Sequence, residues 1–144
     1  ASAAQPRAVS QVGNGRSQRP VIRGVGTDIV AIARIERALA RHGARFAARI
    51  LRPEELTAFG SAARPAAWLA KRFAAKEALG KALGTGIGAV SWQDFSVLSA
   101  SGGVPVVRCH GRARQLLAQR DIIDIWISLS DERDYALAFA VLSD

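Results

Sequence analysis

Only one of the 144 residues is cysteine, and none is methionine. A lone Cys109 excludes an internal disulfide and fits a reducing compartment. Its neighbours Val106 and Val107 mark an apolar strand, where a thiol serves as small hydrophobic filler rather than as a nucleophile. Aromatic residues are scarce, at 6%, and no basic stretch is interleaved with rings. This argues against a nucleic-acid-binding module built on base stacking, the class that a pI of 11.2 would otherwise suggest. No apolar run approaches the roughly 20 residues needed to span a bilayer, and no apolar segment near the start resembles a signal peptide. A cytoplasmic protein without membrane partners is expected. Acids are also few, 12 against 20 Lys and Arg, for a net charge of +8. Residues 1–20 carry Arg7, Arg16 and Arg19 and no acid, so +3 of that charge is peripheral and +5 belongs to the remainder. With hardly any large apolar side chain, residues 1–20 cannot offset their own ordering entropy. A disordered basic tail over 1–20 and one folded domain over 21–144 are predicted.

The remainder has ample material for a core, the chain being 49% hydrophobic. From Val21 to Val30 a β-branched run with two glycines and Asp28 near its end reads as the first strand. Ile32, Ile35 and Leu39 then recur at helical spacing, His42-Gly43 reads as a helix end, and Phe46 and Ile50 continue on a second short helix. Pro53-Glu54-Glu55 opens a third in the order of a first helical turn. A long helix is predicted from Pro65 to Leu83, with Trp68, Leu69 and Phe73 turned to the core and Gly80 costing roughly 1 kcal/mol against Ala. After a Gly84–Gly88 turn the period changes from helical to alternating. Strands are expected over Trp92–Leu98 and Val104–Cys109, a helix over Arg112–Gln119, and strands over Ile122–Ser130 and Tyr135–Leu142. This order predicts an α+β fold, a mainly antiparallel sheet packed against a long central helix.

Three groupings carry chemistry. In the long helix, Glu77 and Lys81 stand four residues apart on one face, so a carboxylate and an ammonium can share a small site; the ordinary alternative is a solvated helix pair. Beyond them, Gly84-Thr85-Gly86 lets the backbone approach a ligand closely, which suits phosphate oxygens. Asp28 is a carboxylate in an apolar strand, costly to bury unless it binds something. It can serve magnesium, which takes one or two carboxylates and fills its octahedron with water and substrate phosphate, or it can cap the next helix. Finally, Arg34, Arg37, Arg41, Arg45, Arg49 and Arg52 recur every three or four residues with Glu36 the only acid between Ile29 and Pro53. They form either a solvated face or a positive surface for a partner.

Two separated signatures, Gly24-Val25-Gly26-Thr27-Asp28-Ile29-Val30 and Lys71 to Ile87 with its Phe-Ala-Ala-Lys-Glu-Ala-x-x-Lys-Ala core, resemble the holo-acyl-carrier-protein synthases among the 4′-phosphopantetheinyl transferases. The similarity extends from about Val21 to Val141, through Arg49-Ile50-Leu51, Trp92-Gln93-Asp94-Phe95 and Ile127-Ser128-Leu129-Ser130-Asp131-Glu132. It implies transfer of phosphopantetheine from coenzyme A to a serine of apo acyl carrier protein, releasing adenosine 3′,5′-bisphosphate. By the resemblance, Asp28 and Glu77 match the magnesium ligands, Glu77 also takes the serine proton, and Lys81 contacts the reacting phosphate. Arg72, Lys76, Gly84, Thr85 and Gly86 match positions that hold the remaining phosphates and the adenosine. Arg34 and Arg45 become the leading contacts for the acidic carrier, by steering that should fade with salt. A homotrimer with coenzyme A sites between subunits is implied as well. Two positions differ: Ala31 stands where many relatives carry Glu, and Asp131 where many carry His. An inactive carrier-binding scaffold on the same fold is the alternative, opposed by the presence of Asp28, Glu77 and Lys81 together.

Overall fold

Small side chains decide the architecture. The computed structural model describes residues 19–144. Of the predicted tail, all but Arg19 and Pro20 lies outside the described residues. Strand β1 (Ile22–Ala31) runs into helix α1 (Ile32–His42), followed by α2 (Ala44–Ile50), α3 (Pro53–Gly60) and the 18-residue α4 (Pro65–Ala82). A hairpin of β2 (Phe95–Ser99) and β3 (Pro105–Cys109), helix α5 (Gly111–Gln119), and strands β4 (Asp124–Asp131) and β5 (Tyr135–Ser143) complete the chain.

The antiparallel strands fall into two sheets, β1-β5-β4 and β2-β3, rather than one. In the larger, Asp28 lies opposite Ala138 and Ile127 opposite Ala140. Strand alternation turns Ala136, Ala138 and Ala140 inward, all fully buried, and leaves Tyr135, Leu137 and Phe139 outward and exposed. That inversion of size follows from α4, which packs across the inner face of this sheet at close range. A Cβ on Gly24 would sit 2.0 Å from the Ala82 carbonyl oxygen, and one on Gly26 would sit 1.9 Å from that of Ala78. Helix and strand backbones therefore meet only because both positions are glycine. The helix answers in kind, burying Ala67, Ala70, Ala74, Ala75, Ala78 and Ala82. Ile35, Ile50, Leu51, Leu69, Leu79, Phe95 and Val97 fill the rest of the core.

Most boundaries lie within a residue or two of the sequence reading. The exception is Trp92–Asp94, expected as strand and found as a 3-10 turn before β2. Ser91 and Asp94 close it: the Ser91 hydroxyl accepts from the Gln93 amide at 3.1 Å, and the Asp94 carboxylate accepts from the Ser91 amide at 3.2 Å. This capping pair outcompetes the strand propensity of Trp92. Among the described residues, no helix is long and apolar enough to cross a membrane.

Candidate functional site

The glycine contacts bring β1 against the last two turns of α4, and there Lys81 meets Asp28. The Lys81 Nζ donates to the Thr27 carbonyl at 2.9 Å and to the Asp28 Oδ1 at 3.1 Å. Lys81 remains half exposed while Asp28 is largely covered. The capping alternative for Asp28 does not hold: α1 has Ala31 at its N-cap and no side-chain cap, and its first amide goes to the Asp134 carbonyl. One turn before Lys81, the Glu77 Oε1 accepts from the Trp92 indole Nε1 at 3.0 Å. Lys81, although four residues away, makes no ion pair with Glu77. Asp28 and Glu77 thus each have one oxygen held and a second without a protein partner among the described residues. The indole ring of Trp92 packs on Phe73, with centroids 6.0 Å apart, and also lines an open pocket of about 440 Å³ with Arg49, Ile87, Gly88 and Val90.

Lys76 is a correction to the sequence reading. It is 0% exposed, and its Nζ lies 2.6 Å from both the Glu55 Oε1 and the Ile50 carbonyl. Burial pushes its pKa down, opposed by the Glu55 charge. Glu55 is equally buried and also accepts from the Arg52 and Val97 amides, joining α3, α4 and β2. Arg72 is likewise turned inward, its guanidinium 4.0 Å over the Trp68 ring and donating to the Val97 carbonyl and the Ser99 hydroxyl. Burial lowers its pKa to about 10, with Glu55 opposing, so it stays charged at neutral pH. Both cations serve the core rather than an open phosphate site.

The glycine turn also closes the long helix. The amides of Gly84, Thr85 and Gly86 donate to the Lys81 and Gly80 carbonyls, so they cap α4 instead of pointing at a ligand. The Thr85 hydroxyl donates to the Gly86 carbonyl. Gly84 and Gly86 have φ of 75° and 65°, and no atom lies within 4 Å of a Cβ built on either, so their outer surface is open. Gly80 has a packing reason as well, since its Cβ would meet the Gly86 carbonyl carbon at 3.1 Å.

Of the six arginines, Arg34, Arg37, Arg41, Arg45 and Arg49 are exposed on α1 and α2. Gly43, at φ 57°, breaks the helix between them. Arg52 is committed elsewhere, to Glu54 and the Gln93 carbonyl. Arg34 lies 5.6 Å over the Phe73 ring, one contact from Trp92. Asp131 pairs with Lys71 at 3.1 Å and with Arg64 at 3.8 Å. Cys109 is no nucleophile: burial, helped by the Asp94 charge, pushes its pKa up to about 12. Sequence reasoning missed Glu55 and the contact of Trp92 with Glu77. The Ser-Trp-Gln-Asp capping pattern was the one available signal for the turn that aims the indole.

Residues 24–140 match the model of the 4′-phosphopantetheinyl transferase superfamily. The chain is 51% identical over 123 residues to a holo-[acyl-carrier-protein] synthase of Halorhodospira halophila, covering 85% of this chain and 98% of that protein. The crystal structure of the holo-[acyl-carrier-protein] synthase of Neisseria meningitidis superposes with a TM-score of 0.81 at 45% identity, covering 86% of this chain and all of that one. The Helicobacter pylori holo-[acyl-carrier-protein] synthase, solved in complex with coenzyme A, gives 0.73 at 30% identity over 82% of this chain and 98% of that one.

Proposed function

The chain belongs to the 4′-phosphopantetheinyl transferase superfamily, and on that premise we propose the groups by which it works. The enzyme carries out the holo-[acyl-carrier-protein] synthase reaction, moving 4′-phosphopantetheine from coenzyme A to a serine hydroxyl of apo acyl carrier protein. The serine oxygen forms a bond to the pantetheine-side phosphorus as the bond to the bridging oxygen breaks, and adenosine 3′,5′-bisphosphate leaves. Two tasks remain for the protein: accepting the serine proton and offsetting negative charge on the phosphates.

The supporting observation is the meeting of β1 and α4, which sets Asp28, Lys81 and Glu77 on adjacent backbone. Glu77 takes the serine proton through the oxygen that Trp92 does not hold. Lys81, half exposed and already directed along β1, contacts the reacting phosphate. The donor set also fits magnesium: hard carboxylate oxygens on Asp28 and Glu77, one on each free of protein partners among the described residues. Among the described residues, no group of three or more His, Cys, Asp or Glu gathers, so the remaining ligands would be water and substrate oxygens. When bound, the ion neutralises charge developing on the pyrophosphate. The adenosine bisphosphate lies against the open surface of Gly84, Thr85 and Gly86 by close approach, the turn's amides being used in the helix cap.

The carrier docks on the exposed arginines of α1 and α2, Arg34 and Arg45 foremost. The uncovered apolar face of the β1-β5-β4 sheet supports a homotrimer with sites between subunits. With magnesium, coenzyme A and apo acyl carrier protein, mass spectrometry should show one phosphopantetheine added to the carrier. Glu77→Ala and Asp28→Ala should each slow that addition by roughly 100-fold or more. Unchanged rates in both variants, or no addition by the unaltered protein, would refute the reading.

A further inference from the structure

We propose that Trp92 is a positioning residue for this reaction, holding the Glu77 carboxylate through its indole N–H; the inference rests on the role given to Glu77 above. A glutamate on a helix surface has three side-chain torsions to fix before its carboxylate occupies one place, and that ordering opposes every step that needs it. Here the Trp92 Nε1 fixes Oε1 at 3.0 Å and leaves Oε2 without a partner among the described residues. The choice of donor matters. An indole N–H only donates, carries no charge and does not titrate near neutrality, so it orients the carboxylate without neutralising it. A lysine in that place would form an ion pair and compete with substrate proton or cation. Lys81 stands at the right spacing for such a pair, yet its Nζ is turned to Asp28 and the Thr27 carbonyl.

The indole is itself firmly set. Its ring packs against Phe73, one turn before Glu77 on α4, with planes inclined by 39°. The turn that carries it is closed by Ser91 and Asp94, and the neighbouring Gln93 side chain donates to the Ala48 and Leu51 carbonyls. Trp92 is thus braced against α2 and α4 while its one donor reaches Glu77.

The test is Trp92→Phe, which keeps a ring against Phe73 and removes the donor together with part of the indole. Loss of a hydrogen-bond partner that orients a reacting carboxylate should lower kcat by roughly 10- to 100-fold and raise the magnesium concentration for half-maximal rate. The KM for coenzyme A should stay within about twofold, because the phosphate and adenosine contacts are untouched. A second readout needs no turnover. In 15N-labelled protein without metal, the indole resonance that vanishes in Trp92→Phe is that of Trp92, and Glu77→Ala should shift it. A kcat within twofold of the parent, or an indole resonance unmoved by Glu77→Ala, would overturn the proposal. So would a fall in kcat accompanied by an equal rise in KM and a lowered melting temperature, which marks a packing defect. Full activity in Glu77→Ala would refute the reading of Glu77 itself, a result separate from any obtained with Trp92.

Discussion

A fully buried ion pair such as Lys76 with Glu55 gains little over a hydrophobic pair of the same shape, but removing one member strands the other in the core. Lys76→Met should therefore lower stability by about 3–5 kcal/mol, read as a shift in urea midpoint. Lys76→Met with Glu55→Gln should recover part of that loss, since no charge is then left in the core and the amide oxygen can still accept from one of the two amides, Arg52 or Val97, that the two oxygens of Glu55 now serve. No change in the single variant would disprove the sealed pair. Cys109 gives a second test, with a definite sign. Its folded pKa is raised from 9.0 to about 12, so between these values the unfolded chain loses the proton first, and stability falls as pH rises. Cys109→Val should remove that contribution, at most about 1.4 kcal/mol per pH unit, from the alkaline slope of the unfolding free energy. Identical slopes would contradict it. The apolar neighbours of Cys109 already marked it as filler, but the role of Lys76 was not legible beforehand. Helix α4 is buried on most of its circumference, so periodicity gave no sign that Lys76 turns inward while Glu77 and Lys81 face the site.

At the scale of elements, the glycines of β1 and α4 do the positioning. The sequence shows Gly-x-Gly before Thr27 and Asp28 plainly, and it placed the strand and the helix within a residue or two. It could not show that both glycines touch the α4 carbonyls, because such contact depends on the distance between two backbones some fifty residues apart. Likewise the turn at Gly84 was legible as a turn, but the destination of its amides was not. Gly26→Ala would drive a Cβ to 1.9 Å from the Ala78 carbonyl, where neither backbone can yield cheaply. It should cost about 1–3 kcal/mol of stability and also reduce transfer activity, by moving Asp28 away from Lys81. Gly43→Ala is the comparison: its positive φ carries strain, but its Cβ meets nothing within 4 Å, so it should lower stability with little effect on rate. Equal loss of rate in the two variants would disconnect the strand-helix contact from the site.

For the whole molecule, the decisive feature is the face of the large sheet turned away from α4. With the alanines of β5 inward, the bulky residues of β1 and β5 stand outside: Val25 is 53% exposed, Ile29 61%, Leu137 41% and Phe139 45%. A strand pattern of this kind in isolation reads as ordinary alternation, and only the nearness of α4 reveals that the large side chains are the outward set. Burying apolar surface contributes roughly 25 cal/mol per Å², so leaving this face in water is unfavourable compared with covering it by further copies of the chain. If that covering makes the homotrimer, Phe139→Glu would place a carboxylate in each interface at a position whose side chain has no role in the monomer's core. Sedimentation equilibrium should then change from a species of three chains to one of a single chain, with far-ultraviolet circular dichroism unchanged. Because the coenzyme A sites are proposed to lie between subunits, calorimetric binding of coenzyme A should be lost in the same variant. A monomeric variant that still binds coenzyme A would place the site within one chain, and an unaltered protein sedimenting as a monomer would dismiss the trimer itself.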